Sequence, residues 1–363
     1  MLSRRALNRA TLARQMLLRR QQLAVVDAIE RLAGLQSQTV HSWYVGLWTR
    51  LADLRPEPVA QLLATRQVVR IALMRSTIHL VTARDCLAWR RLVEPVIARS
   101  MKGNFGRHLV GLDMDKLVAA GRALVEEQPL TFSELGRRLA ERWPDRDAAA
   151  MAQAIRARVP LVQVPPRGLW GVSGLAAHTS AEAWLGRPVD PAPSVDEFVM
   201  RYLAAFGPAS VRDMQTWSGL TRLGEVAERL PPRLATFRDE QGRELFDLPD
   251  APRPDPETPA PVRFLYDFDN LLLSHADRSR FVSEDYGRQV YPDNVQPSIV
   301  LVDGWTNADW KITRERDTAT LTVQPFVRLT TEEIAELTDE GARLLDFVAR
   351  DAGQHDIRFE PVR

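Results

Sequence analysis

Only one of the 363 residues, Cys86, is a cysteine, and only Lys102, Lys116 and Lys311 are lysines. A lone thiol excludes an intramolecular disulfide and suits a reducing compartment. Its setting, Ala83-Arg84-Asp85-Cys86-Leu87, looks like a helix start, so Cys86 reads as a packed core thiol. None of the three lysines makes a convincing nucleophile for Schiff-base chemistry. No apolar run approaches the roughly 18–20 residues of a membrane span. The arginine-rich N-terminus lacks the apolar core and cleavage site of a secretory signal and reads as an ordered helix. The six histidines are scattered, with no pair at i, i+4. HExxH, CxxC, Gly-x-x-x-x-Gly-Lys and Gly-x-Gly-x-x-Gly are all missing, so no cofactor or metal is expected. Gly171-Val172-Ser173-Gly174 falls short of a nucleophile elbow because Leu175 stands where the last glycine should be. Tyr266-Asp267-Phe268-Asp269-Asn270 departs from a calcium loop at Leu271 and reads as turn chemistry.

What is abundant is globular material: 45% hydrophobic and 26% charged residues, over a length suited to two or three domains of about 100–200 residues each. The net charge of +1 conceals an asymmetry, because residues 1–110 hold 18 basic residues against 6 acidic ones. Such a basic region points to a polyanionic partner. The other reading is a basic face paired with an acidic domain of the same chain. Arginine is nearly the sole cation, as a GC-rich genome would produce, so its abundance alone says little about phosphate.

Ser3 reads as the N-cap of a first helix, further helices are predicted over 25–35 and 44–54, and Pro56 opens a fourth. The period then changes to that of two strands, 68–73 and 77–81, joined by the basic turn Met74-Arg75-Ser76. Helices followed by a hairpin with a basic turn is the order of a winged helix-turn-helix. It recurs as helices over 114–127, 133–143 and 146–158, then strands 161–164 and 169–172 around Pro165-Pro166-Arg167-Gly168. It recurs again as helices over 194–206, 210–217 and 221–230, then strands 233–238 and 243–248. The proline-rich stretch 247–261 reads as a crossing segment. Strands at 299–303, 308–314 and 319–325, with Trp305-Thr306-Asn307 in a turn, precede a helix over 331–350 and a last strand. The expectation is an α+β chain of three tandem winged helix-turn-helix units, 1–110, 111–190 and 191–250, followed by a C-terminal β-rich, barrel-like element over 251–363.

The run that invites chemistry is Gly34-Leu35-Gln36-Ser37-Gln38. Neutral amides are neither strong bases nor nucleophiles, but their carbonyl oxygens can hold a water and stabilise a nearby cation. That suits a reaction with a ready leaving group and a positively charged transition state. Capping of the preceding helix is the plain alternative. Together with Arg75-Ser76-Thr77-Ile78-His79-Leu80-Val81 and Asp269-Asn270-Leu271-Leu272-Leu273-Ser274-His275-Ala276-Asp277-Arg278, the run resembles the bacterial winged-helix DNA glycosylases of the AlkZ/YcaQ type. The resemblance covers most of the chain. It implies three tandem winged helices plus a C-terminal β element, and excision of bulky or crosslinked alkylpurines, often as self-resistance to a DNA-alkylating natural product. The glutamine–apolar–glutamine motif of the AlkZ-like branch falls on Gln36 and Gln38, with Ser37 departing from the apolar middle position. The YcaQ-like branch ends the motif in aspartate.

On that resemblance the expected activity is that of a monofunctional DNA glycosylase, which hydrolyses the N-glycosidic bond of N7-alkylguanine or N3-alkyladenine in duplex DNA. Alkylation already makes the base a cation, so no general acid is required. What remains is to place a water and stabilise an oxocarbenium-like sugar with oriented dipoles. Arg75, Thr77, His79, Arg167, His275, Arg278 and Arg280 are the candidate DNA contacts; Trp43 and Tyr44 are the candidate lesion pocket. Plain alternatives stand beside them: a solvated Arg75, a buried mid-strand His79, ion pairing with Asp277 in the 275–280 cluster, and core packing of Trp43 and Tyr44. The expected partner is duplex DNA, with no membrane; the expected state is a monomer in the bacterial cytoplasm, at the nucleoid. The alternative function is a non-catalytic winged-helix transcription regulator, normally a dimer on a palindrome. A protein that sequesters the alkylating drug is a third.

Overall fold

The computed structural model describes residues 1–230, 233–289, 291 and 296–363. Ser3 caps α1 (Arg4–Arg14), its hydroxyl accepting from the Ala6 amide. The helix expected over 25–35 ends early, as α2 (Val25–Arg31). Ala33 and Gly34 break it with left-handed φ of 54° and 81°. A Cβ on residue 34 would lie 2.7 Å from Val81 Cγ1, so the break requires glycine. The chain leaves it as a two-residue strand, β1 (Leu35–Gln36). Gln36 therefore sits on a strand and not at a helix end.

Next come α3 (Ser42–Trp48), α4 (Pro56–Ala64), β2 (Val68–Ala72), β3 (Ile78–Thr82), α5 (Ala83–Trp89) and α6 (Glu94–Phe105). Thr82 caps α5, and Cys86 within it is a buried free thiol. Then follow α7 (Met114–Glu127), α8 (Phe132–Ala140), α9 (Ala148–Arg158), β4 (Leu161–Gln163), β5 (His178–Ser180) and α10 (Ala181–Leu185). The strand expected at 169–172 does not form; the partner of β4 is β5 instead. β4 also pairs with β2, through Arg70↔Gln163 and Ile71↔Val162. One sheet of order β1-β3-β2-β4-β5 thus takes strands from both sides of residue 110, in place of two separate hairpins.

Helices α11 (Val195–Phe206), α12 (Val211–Ser218) and α13 (Leu223–Arg229) precede a separate hairpin, β6 (Ala235–Arg238) and β7 (Glu244–Asp247). The rest comprises β8 (Arg263–Leu265), α14 (Asn270–Leu273), α15 (Glu284–Gly287), β9 (Ser298–Val302), β10 (Trp305–Glu315), β11 (Thr318–Pro325), α16 (Thr331–Val348) and β12 (Gln354–Phe359). Trp305-Thr306-Asn307, expected in a turn, opens β10; the reversal falls at Asp303-Gly304, where φ is 45° and 81°. The second sheet has the order β12-β11-β10-β9-β8 and open edges. No sheet closes among the described residues, so an open five-stranded sheet stands where a barrel-like element was expected. The architecture is mixed α+β.

The core joins the two ends of the chain. Trp43 and Tyr44 of α3 pack in one buried cluster with Phe264, Tyr266, Leu321 and Leu345. Close approach is possible because residue 46 is glycine: a Cβ there would lie 2.6 Å from the Tyr266 ring. Part of the N-terminal cationic surplus is spent inside this junction. Arg14 and Asp247 form a fully buried pair, as do Arg50 and Asp269, and Arg9 and Arg20 meet Asp303 and Glu340. That part of the charge asymmetry is internal, since a cation withdrawn from water needs a partner inside.

Candidate active site

β1 is an edge strand beside β3, with Gln36 opposite His79. Its other side is met by residues 266–270. The Tyr266 hydroxyl donates to the Gln36 carbonyl at 2.9 Å. Asn270 Nδ2 donates to the Gly34 carbonyl at 2.5 Å, and Asn270 Oδ1 accepts from the Gln36 amide at 3.4 Å. Asp269 is gripped by Arg50 through bonds of 2.7 and 2.9 Å. The Ser37 amide donates to the Ile78 carbonyl at 2.8 Å, and Arg70 Nη2 donates to the Ser37 carbonyl at 2.7 Å. The glutamine segment is therefore held from both sides, as a site that works by fixed dipoles requires.

Gln36 is buried and Gln38 exposed. Gln36 Oε1 accepts from Arg75 Nη2 at 2.6 Å, and Arg75 Nη1 donates to the Trp217 carbonyl near the end of α12 at 2.5 Å. Gln38 Oε1 accepts from the Ile78 amide at 3.3 Å. A carbonyl oxygen has two lone pairs, so each keeps one for a water or a cationic sugar. Burial lowers the Arg70 and Arg75 guanidinium pKa values to about 10, and both remain cations at neutral pH.

The turn expected to present Arg75 to phosphate is an interior junction. Arg75 and Ser76 are left-handed, with φ of 55° and 62°, and Arg156 Nη2 donates to the Ser76 carbonyl at 2.6 Å. Thr77 Oγ1 donates to Met74 within the same turn at 3.1 Å. Of the other expected DNA contacts, His79, His275 and Arg280 are buried. His275 lies between Ser274 Oγ and the Phe206 carbonyl, and Arg280 Nη1 donates to the Pro208 carbonyl at 2.9 Å. None of the three presents a group to a duplex lying on this surface. Arg167 is half-buried and donates to the Gly174 carbonyl at 2.9 Å. Arg278 is exposed, and Asp277 pairs with Arg243 instead of with its neighbour. Trp43 and Tyr44 are core residues, stacked 3.9 Å apart, with the Tyr44 hydroxyl donating to the Gly168 carbonyl at 2.9 Å. These corrections share one cause: buried polar groups must be bonded internally, and type and position in sequence do not reveal which ones are. Tyr266 and Asn270, which hold the glutamine segment, were missed as site residues; Tyr266 was read only as part of a turn, and Asn270 only as part of a motif that carries the family resemblance.

Burial holds three imidazoles neutral, lowering His79 to about 3, His178 to about 4 and His275 to about 3. The unfolded chain takes up protons at these groups below about pH 6.5 while the folded one does not. Stability should therefore be full above that pH and fall by about 1.4 kcal/mol per pH unit for each histidine on acidification towards pH 4. Urea midpoints at pH 7.5, 6.0 and 5.0 check this; equal midpoints would contradict it.

A cavity of about 630 Å³, lined by Trp48, Trp170 and Phe347 among others, includes neither glutamine. Among the described residues no helix is long and apolar enough to cross a membrane.

The family described as DNA glycosylase AlkZ-like matches the chain over residues 29–347. An interstrand DNA cross-link repair glycosylase of Streptomyces sahachiroi is 24% identical over 341 residues, 86% of this chain and 88% of that protein. The solved structure of the Streptomyces sahachiroi DNA glycosylase AlkZ superposes with a TM-score of 0.78 at 21% identity, covering 99% of this chain and 100% of that one.

Proposed function

Because this chain belongs to the AlkZ-like DNA glycosylase family, we propose that it hydrolyses the N-glycosidic bond of bulky or crosslinked alkylpurines in duplex DNA, with Gln36 and Gln38 as the catalytic pair. The observation that carries this is the fixed glutamine segment, in which each amide oxygen accepts one donor among the described residues; a carbonyl oxygen can accept a second. Similarity to a protein named for interstrand cross-link repair supports crosslinked DNA as the substrate, and a site without a general acid suits the cationic N7-alkylguanine or N3-alkyladenine as the leaving base. Self-resistance to a DNA-alkylating natural product is the setting such a substrate suggests. The protein works as a cytoplasmic monomer, in three winged-helix units, the first two joined through one shared sheet, and a C-terminal β-rich element. Exposed Arg278 is retained as a phosphate contact.

The leaving base is already cationic, so its departure needs no acid. Water attacks a sugar that develops positive charge, and the amide dipoles orient the one and stabilise the other. Release should therefore be appreciable for N7- and N3-alkylpurines and negligible for uracil or 8-oxoguanine. Matched duplexes differing only in the lesion, followed by alkaline cleavage of abasic sites, test this. Efficient uracil release would mean that an acid drives departure and that the glutamines are not the principal groups.

A further inference from the structure

Two amides leave an electrostatic problem. The transition state is a cation, yet the charged side chains bonded to the Gln36–Gln38 segment are the guanidinium groups of Arg75 and Arg70. A cation-flanked site disfavours positive charge on the sugar unless an anion stands beside it.

We propose that Asp267 is that anion and a third catalytic residue of the reaction. Thr39, directly after Gln38, donates its hydroxyl to Asp267 Oδ2. Tyr266, directly before Asp267, bonds the Gln36 carbonyl, so residue 267 is fixed against the glutamine segment from both directions. Asp267 Oδ1 is buried without a hydrogen-bond partner, the only carboxylate oxygen so placed among the described residues. Leaving such an oxygen unpaired is costly, and a fold retains it where a bound molecule supplies the donor. The next residue, Phe268, is held left-handed at φ 61°, a strained conformation for a bulky side chain. The charged or titratable neighbours are accounted for: Asp269 is bonded to Arg50, and Arg75 to Gln36 and Trp217.

In this step, which rests on the proposed glycosylase activity, the C1′–N9 bond breaks and its electron pair passes to the base, cancelling the charge that alkylation placed there. A water oxygen bonds C1′, and one proton of that water passes to Asp267 Oδ1. The carboxylate also lies beside the oxocarbenium ion as it forms.

The test uses duplexes with a cationic pyrrolidine abasic analogue or its neutral tetrahydrofuran counterpart. The wild-type protein should bind the cationic duplex at least about tenfold more tightly. Asp267→Asn should lose that preference, keep its affinity for the neutral duplex, and release N7-alkylguanine in single turnovers about 10²–10³-fold more slowly. Asp267→Glu should recover part of both. An Asn variant that excises at the wild-type rate, or still prefers the cation, overturns the assignment. Should that variant not fold, Thr39→Val, altered at an exposed hydroxyl, should weaken the preference; an unchanged preference there overturns it equally. A wild-type protein that releases no alkylpurine would instead remove the underlying activity, an outcome separate from any Asp267 result.

Discussion

Alanine in place of Gln36 or Gln38 is expected to slow the release of N7-alkylguanine about 10²–10³-fold, the loss typical when one preorganised dipole is taken from a charged transition state. The two substitutions should differ in their side effects. Gln38 is exposed, and its truncation should leave folding untouched. Gln36 is buried and receives Arg75 Nη2, so its removal leaves a guanidinium donor unpaired and should also lower stability by about 1–3 kcal/mol. Single-turnover kinetics with enzyme in excess separate chemistry from binding, and a parallel urea titration separates both from unfolding. If both variants excise at the wild-type rate, the glutamines serve only the fold.

A comparable loss, in stability, is expected from Asp269→Ala. It strips the partner from Arg50, which is buried together with it, and breaking such a pair typically costs about 3–5 kcal/mol. It also removes the cap of α14, where Asp269 Oδ1 accepts from the Leu271 amide at 3.0 Å. Because Asn270 follows directly and bonds Gly34 and Gln36, the fraction that still folds should excise slowly. Replacing both members, as Arg50→Met with Asp269→Leu, should restore much of the stability but not the rate. A urea midpoint for Asp269→Ala within 1 kcal/mol of wild type would contradict this account of the junction.

How much of this was legible depended on how local the signal was. α7 (Met114–Glu127) and α11 (Val195–Phe206) lie where their caps and apolar repeats put them, because Asp113 and Ser194 bond their own helices three residues on. β11 alternates buried and half-buried residues along its length and was equally readable. β1 and β8 were not: two or three residues carry no period. Nor was the pairing of β2 with β4, which depends on how the helices between them pack. The glutamines could be singled out by their resemblance to a family motif. Tyr266 and Asp267 could not be tied to them, and Asn270 only through a shared family motif and not by contact, because nothing local links residues 230 positions apart. Arginine was the most misleading residue type. Arg50 and Arg70 are fully buried and Arg75 is turned inward, and a guanidinium looks the same in sequence whether it meets phosphate, carboxylate or a backbone carbonyl.

That separation of 230 residues also sets a schedule for the nascent chain. The glutamine strand leaves the ribosome early, but Tyr266, Asp269 and Asn270 do not yet exist. At about 5–20 residues per second, roughly 10 to 50 s pass before they do. During that interval Arg50 has no acid and β1 has nothing on its open edge. The N-terminal third must then wait half-made, with an unpaired strand edge of the kind that attracts wrong partners. Slower translation upstream of codon 266 should therefore lower the soluble yield more than the same slowing downstream of codon 275.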